Sequence, residues 1–100
     1  MKFVCQPALQ EHMKKQGKDT IVVEFVEINS SDFEVAELHV HLVEPRRKEY
    51  FLREKGYRPV ETDWGTVLLP RYPLELAETV TFGLKSVLFF KYVTYEGIKV

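Results

Sequence analysis

Residues 20–43 read T-I-V-V-E-F-V-E-I-N-S-S-D-F-E-V-A-E-L-H-V-H-L-V and carry the strongest structural signal in the chain. The segment Thr20–Ile28 is rich in β-branched and aromatic residues, which predicts a strand. Apolar side chains occupy both of its faces, so we expect it at the centre of a sheet. The turn residues N-S-S-D separate it from a second long strand over Phe33–Val43, and the two strands are predicted to form a hairpin.

The second strand places its residues alternately on two faces. Its even positions are apolar and predict the core face: Ala36, Leu38, Val40 and Leu42. The opposite face carries Glu37, His39 and His41. We therefore expect both histidines to point away from the main core, towards water or a second surface.

The chain before this hairpin predicts a short strand and a helix. Residues Met1–Cys5 alternate well enough for a strand. Pro7 suits the first position of a helix, where its missing amide has no intrahelical partner, and Gly17 can take the left-handed conformation that ends one. Leu9 and Met13, four residues apart, give this helix a narrow apolar stripe.

The segments after the two long strands predict a second hairpin and several short elements. Residues 45–56 fit a short helix closed by a glycine, with an extended conformation as the alternative. R-P-V-E-T and T-V-L-L-P flank a turn at Asp63–Gly65 and predict the hairpin. Residues 74–78, L-E-L-A-E, fit one helical turn, and a tight turn is expected at Glu96-Gly97.

The run V-L-F-F-K-Y-V-T over residues 87–94 is unusually aromatic. Sheet alternation predicts that one set of its side chains covers the core and that the other set lies under the first helix. The core set is Leu88, Phe90 and Tyr92, and the second set is Phe89, Lys91 and Val93. The alternative is an exposed apolar face that meets another subunit, because large exposed apolar patches tend to be interaction sites.

Length and composition indicate one domain over residues 1–100, with 45% hydrophobic residues. The element order predicts an α+β fold: a mainly antiparallel, curled or sandwich-like sheet with an N-terminal helix and one or two short helices. The net charge of −1 disfavours nucleic acid as a partner, because binding needs basic residues that neutralise several phosphates. No signal peptide or membrane-length apolar run occurs, so the expected location is cytoplasmic and no membrane partner is expected.

In this order the segments resemble the HesB/IscA-type domain, the A-type carrier of iron–sulfur cluster assembly. K-F-V-C-Q-P-A-L-Q-E-H-M-K-K (2–15) is similar to the opening strand and helix of that family, and V-A-E-L-H-V-H-L-V-E-P (35–45) to its second long strand. The segment G-T-V-L-L-P-R-Y-P-L-E-L-A-E-T-V-T-F (65–82) resembles the part of the family in which a strand is followed by a short helical turn and another strand. The segment Y-E-G-I-K-V (95–100) resembles the C-terminal end of the family's sequence. The resemblance covers almost the whole chain and implies the carrier fold.

The cysteine ligands of that family are missing from this sequence. The family carries a cysteine in a G-G-C-S-G loop after its first central strand and a C-G-C-G pair near its C-terminus. Here the loop reads E-I-N-S-S-D, Y-E-G-I-K-V holds no cysteine pair, and the only cysteine is Cys5. Iron–sulfur clusters need thiolate donors, usually four per cluster, and the hydroxyls of Ser30 and Ser31 are poor substitutes. The resemblance therefore implies the scaffold without its cluster chemistry.

His39 and His41 are candidate metal ligands. Their side chains leave one face of a strand about 7 Å apart, given a rise of about 3.3 Å per residue. Two imidazoles at that spacing can converge on zinc, nickel or copper, and Glu37 on the same face is the candidate third ligand. The alternative is that they occupy the half-wet face of a sheet. Apart from a divalent metal at this pair, no cofactor is expected.

The basic cluster of the chain is Arg46, Arg47 and Lys48. It predicts either a weak anion or nucleic-acid site or the solvated face of a helix. In a helix, Arg46 would share one face with Tyr50 and Arg53, whereas Phe51 and Leu52 would turn inward.

No enzymatic activity is expected from the motifs present. P-loop, G-x-G-x-x-G, G-x-S-x-G and H-E-x-x-H patterns are all missing. Cys5 has no recognisable neighbouring base and is expected to fill the core. The sequence thus predicts a non-enzymatic interaction or accessory module that resembles A-type carriers. Its expected partner is a protein, with a second copy of the chain as one candidate. The alternatives are a metal-binding protein that uses the histidine pair and a weak anion or nucleic-acid binder that uses the basic cluster.

Overall fold

A computed structural model describes residues 1–29 and 34–100 of the chain. In chain order the elements are β1 (Lys2–Cys5), α1 (Pro7–Gln16), β2 (Thr20–Asn29), β3 (Glu34–Val43), α2 (Pro45–Arg53), β4 (Arg58–Glu61), β5 (Thr66–Leu69), β6 (Glu75–Val87) and β7 (Phe90–Lys99). The predicted α+β class and the N-terminal helix are confirmed, and residues 45–53 adopt the helical alternative. Residues 30–32 of the predicted turn and Phe33, the predicted first residue of the second long strand, lie outside the described residues.

The strands form two mixed sheets. One has the order β1-β6-β7 and the other the order β3-β2-β5-β4. Three of the pairings are antiparallel (β2 with β3, β4 with β5, β6 with β7), whereas β1 with β6 and β2 with β5 are parallel. Both predicted hairpins, β2–β3 and β4–β5, are therefore confirmed, and the sheets are mainly antiparallel.

The two sheets and α1 enclose one main core, which makes the arrangement sandwich-like. Its buried residues come from β1, α1, β2, β5, β6 and β7: Cys5, Leu9, Met13, Ile21, Val23, Val67, Leu69, Val80, Phe82 and Ile98. Trp64, in the β4–β5 turn, joins the two sheets by donating its indole N–H to the Phe3 carbonyl of β1 at 3.1 Å. Partly buried Leu38, Val40 and Leu42 of β3 pack on this core, as the alternation predicts, whereas Ala36 is exposed.

Strand β2 is central and buried on both faces, as its apolar composition predicts. Ile21 and Val23 face the main core, and Val22 faces a second, smaller core. That second core is closed by α2 and the residues after it, chiefly through Phe51 and Tyr57. The Tyr57 hydroxyl also accepts a hydrogen bond from the Phe25 amide at 3.0 Å. Phe25 lies beyond the part of β2 that pairs with β5, which ends at Val22.

Helix α1 forms for the local reasons read from the sequence. Pro7 lies in its first turn, and Gly17 closes it at φ +66°. Leu9 and Met13 are its buried residues, so the narrow apolar stripe is the face that meets the main core. No helix in the described part of the chain is long and apolar enough to cross a membrane.

Two predictions in the C-terminal third are wrong. Residues 74–78 do not form a helical turn, because Glu75 and Leu76 pair with Lys99 and Ile98 at the start of β6, and that pairing supplies the backbone partners. The predicted turn at Glu96-Gly97 lies inside β7, opposite an irregular stretch of β6 between Leu76 and Thr81. The strand continues through Gly97, which takes φ +94° next to a shift in the β6–β7 register.

Candidate interaction surface and predicted ligand residues

An exposed apolar tip ends the β6–β7 hairpin. The antiparallel pairing runs to Val87 opposite Phe90, and Leu88 and Phe89 form the turn between them. Leu88 is 89% exposed, Phe89 98% and Phe90 73%. Residues 87–90 are named the hairpin tip. Single exposed apolar residues are ordinary, whereas contiguous exposed apolar patches are more typical of interaction surfaces.

Leu88 adopts a backbone conformation that side chains disfavour. Its φ is +54°, and it is the one non-glycine residue with positive φ in the described part of the chain. Two-residue hairpin turns with positive φ favour Gly, Asn or Asp, because left-handed backbone costs other residues about 1–2 kcal/mol. Since the Leu88 side chain is almost fully exposed, packing does not offset this cost. Folding alone does not explain leucine at this position.

Lysines flank the hairpin tip on both strands. Lys91 lies opposite Ser86, one ladder position behind the tip, and Lys85 lies opposite Tyr92, two positions behind. Both lysines are exposed. They are also the only charged residues in segment 79–95. The hairpin therefore combines an apolar tip with positive charge directly behind it.

The predicted burial of this aromatic run is wrong at the turn. Leu88, Phe90 and Tyr92 are exposed and do not cover the core, and Phe89 does not lie under α1. Side chains alternate only within one continuous strand, whereas the chain reverses within residues 87–94. Val93 does pack on the main core, and Lys91 shares a small cavity with His12 of α1. The exposure expected in the alternative is observed, whereas contact with another subunit stays a prediction.

The two predicted histidine ligands contact two different carboxylates. His39 Nε2 lies 3.1 Å from Glu37 Oε2, which brings two of the three predicted residues together. His41 Nε2 lies 3.0 Å from Glu24 Oε1 of β2, a residue that the prediction did not include. Within residues 1–29 and 34–100, no three His, Cys, Asp or Glu side chains group closely enough to hold a metal ion. The metal site therefore stays a prediction.

Oxygen atoms face both ring nitrogens of His41. Besides Glu24 at Nε2, the Leu42 carbonyl oxygen lies 3.2 Å from Nδ1. Because both oxygens can only accept hydrogen bonds, only the imidazolium form of His41 donates to both at once. A metal ion at His41 would have to displace one of these contacts or take Glu24 as a ligand.

His12 and His41 line one cavity of about 210 Å³ between α1, β3 and β7. The cavity also has Lys18 and Lys91 in its wall, together with the Tyr92 side chain. The first helix thus packs where His12 can approach His41. The surrounding lysines make this cavity less favourable for a cation.

Helix α2 orders the basic cluster much as the helical alternative predicts. Phe51 is buried and Leu52 is half-buried, whereas Arg46, Tyr50 and Arg53 lie together on the outer surface. Three of the four cations of α2 have partners within the chain. Arg53 pairs with Glu49 at 2.9 Å, the Arg47 guanidinium lies 5.3 Å from the Tyr50 ring centre, and Lys48 donates to Thr66 at 3.4 Å. Anion binding by this cluster stays a prediction.

Cys5 occupies the main core, as expected. Its Sγ lies 3.9 Å from the Met13 sulfur, and burial raises the pKa of the thiol from 9.0 to about 11. A thiol of this kind is almost wholly protonated near neutral pH and is a poor nucleophile and metal ligand.

Comparison with known proteins addresses the fold. No family model and no curated protein matches the sequence. Among solved structures, the chain matches the crystal structure of Escherichia coli SufA, described as involved in the biosynthesis of iron–sulfur clusters. The match has a TM-score of 0.55 at 12% sequence identity and covers 96% of this chain and 80% of SufA. The chain shares its fold with SufA. This structural match supports the HesB/IscA-like resemblance, and the fold that the resemblance implied is confirmed.

Sequence reasoning missed the turn at Leu88-Phe89 and the Glu24–His41 contact. A signal for the tip was present, because V-L-F-F places four apolar residues in succession and strict alternation cannot bury them on one face. Glu24 had a weaker signal. It is two ladder positions from His41 in the predicted hairpin, but which side chains meet diagonally depends on a register that the sequence does not define.

Proposed function

We propose that this chain is a non-enzymatic interaction module, built on the fold of A-type carriers without their cysteine ligands, and that the hairpin tip is its docking surface. The observation that carries the proposal is the exposure of Leu88, Phe89 and Phe90 at a turn where the Leu88 backbone is unfavourable. Both the exposure and the backbone conformation weaken folding. Their presence is accounted for if a partner covers the tip.

The chemistry of the only cysteine separates this module from a cluster carrier. Cys5 is buried in the core, and its raised pKa of about 11 keeps it protonated. Iron–sulfur clusters are usually held by four thiolates, which one chain with a single buried cysteine does not supply. We therefore expect anaerobic incubation with ferrous iron and sulfide to leave no stoichiometric acid-labile sulfide on the protein. A stoichiometric cluster would contradict this part of the proposal.

The docking surface is tested by site-specific photocrosslinking in cells that express the chain. A photoreactive phenylalanine analogue replaces Phe89 in one variant and Val100, a half-exposed apolar residue elsewhere, in a matched control. Discrete adducts from position 89 and none from position 100 are the expected result. Equal adducts from both positions, or none from position 89, would overturn the assignment of the tip as the docking surface.

A metal-binding function is the second candidate, favoured by the 3.1 Å contact between Glu37 and His39. It requires tight stoichiometric uptake of zinc or nickel, measured by calorimetry, that disappears in the His39→Ala/His41→Ala variant. Glu49→Ala is the matched control, because it removes an exposed carboxylate on α2, away from the predicted pair. Uptake that the paired substitution leaves unchanged would eliminate this candidate.

A further inference from the structure

We propose that the hairpin tip docks on the surface of an anionic phospholipid bilayer. This inference rests on the proposed function, in which the tip is the docking surface, and it names the partner. It departs from the sequence-based expectation that no membrane is involved. Three features of the hairpin carry it: the apolar tip, the lysines directly behind it, and the small area that the tip offers.

The order of side chains along the hairpin matches the order of layers in a membrane interface. Leu88, Phe89 and Phe90 lie at the end, where they would enter the boundary between headgroups and acyl chains. Lys91 and Lys85 lie one and two ladder positions behind, which corresponds to about 3–7 Å along the strands. Long lysine side chains at that depth can reach headgroup phosphates while their apolar stems stay near the acyl boundary. Tyr92, opposite Lys85, places an aromatic ring with a polar end at the same level.

The exposed area favours a bilayer over a folded protein partner. One leucine and two phenylalanines offer about 400–550 Å² when aromatic side chains contribute about 150–200 Å² each. A standard protein interface takes about 800 Å² from each partner. A bilayer needs no shaped wall around the inserted side chains, so a small projecting tip is sufficient.

The charge around the tip disfavours a second copy of the chain. A two-fold contact between tips would bring Lys85 and Lys91 of one copy close to the same residues of the other. Segment 79–95 contains no carboxylate that could neutralise them. Anionic headgroups would neutralise both lysines, and each lysine near such a surface raises the partition coefficient about fivefold.

The inference is tested by co-sedimentation of the full chain with vesicles. One set is pure phosphatidylcholine, and the other contains phosphatidylcholine and phosphatidylserine at roughly two to one, so that only the second is anionic. We expect binding to the anionic vesicles that weakens as salt rises. Lys85→Gln/Lys91→Gln should reduce that binding about twentyfold, and Leu88→Gly/Phe89→Ser should reduce it by at least about tenfold. Val100→Ser, which removes an exposed apolar side chain elsewhere, should bind as the unmodified chain does.

The tip variant is designed to stay folded, because glycine suits the positive φ of the first turn position. Its circular dichroism and urea unfolding should confirm this. Absence of binding to anionic vesicles at low salt, or binding that the tip variant retains in full, would overturn the lipid inference. If position 89 still gives a protein adduct in the crosslinking experiment, the docking surface stands and the lipid partner is wrong. If position 89 gives no adduct at all, the proposed function itself fails.

Discussion

Alanine at Gly97 is expected to destabilise the protein strongly, because two separate features exclude a side chain there. Gly97 has φ +94°, outside the region that L residues tolerate, and such backbone costs about 1–3 kcal/mol. A Cβ at this position would also lie 2.6 Å from the Thr79 carbonyl oxygen and 3.4 Å from the Val80 Cα. Both neighbours are backbone atoms, so β6 and β7 would have to separate at this position. We expect Gly97→Ala to lower the free energy of unfolding by about 3–4 kcal/mol.

Gly17→Ala is the matched control for that experiment. Gly17 also has positive φ, at +66°, but a Cβ there would meet no atom within 4 Å. Its substitution should cost only the left-handed backbone term, about 1 kcal/mol. Urea unfolding of both variants, followed by circular dichroism, should give a difference of about 2–3 kcal/mol that reports the clash with Thr79. Equal losses in the two variants would refute the steric reasoning.

Three further outcomes follow from the two cores. Tyr57→Phe should lower the free energy of unfolding by about 1–2 kcal/mol in urea titrations, because the Phe25 amide loses its acceptor; no change would contradict the role of the 3.0 Å contact. Phe51→Ala should cost about 3–5 kcal/mol and Tyr50→Ala less than about 1 kcal/mol by the same method, and similar losses would show that α2 does not close the second core. For Cys5, the raised folded pKa means that the unfolded chain ionises first as pH rises. The thiol's contribution to stability is complete below pH 9 and is lost towards pH 11. Across that window the unmodified chain should lose about 2–3 kcal/mol more than Cys5→Ala, and parallel pH profiles would contradict this.

The elements that the sequence predicted correctly are those whose signals are local or strongly periodic. Helix α1 has Pro7 and Gly17 at its ends, and β2 is recognisable from its composition alone. The errors over 74–78 and at Gly97 have a different cause. Both positions depend on the pairing of β6 with β7. This pairing places Leu76 opposite Ile98, although the two residues are far apart in the sequence. A single sequence carries no direct record of that register, and a glycine with positive φ suits a turn as well as an irregular position within a strand.

The candidate surface was predictable only as an alternative. The sequence contains an aromatic run whose exposure was the alternative prediction, but strand alternation favoured its burial. The position of the chain reversal decides whether the aromatic run is buried or exposed. Leu88-Phe89 is an unusual pair for a two-residue turn. Propensity therefore pointed away from the true turn. A position whose residue conflicts with its local conformation is itself a reason to look for function there.

The likeness to SufA is a likeness of fold. The shared fold rests on an apolar core of residues such as Ile21, Val23 and Phe82, and none of these has a donor atom for iron. In the family that the sequence resembles, the ligands are cysteines in a loop and near the C-terminus, outside any such core. A fold does not define a function, so a structural likeness at 12% identity carries no cluster chemistry to this chain. The function of this chain must therefore be argued from its surface, where the hairpin tip is the feature that folding does not explain.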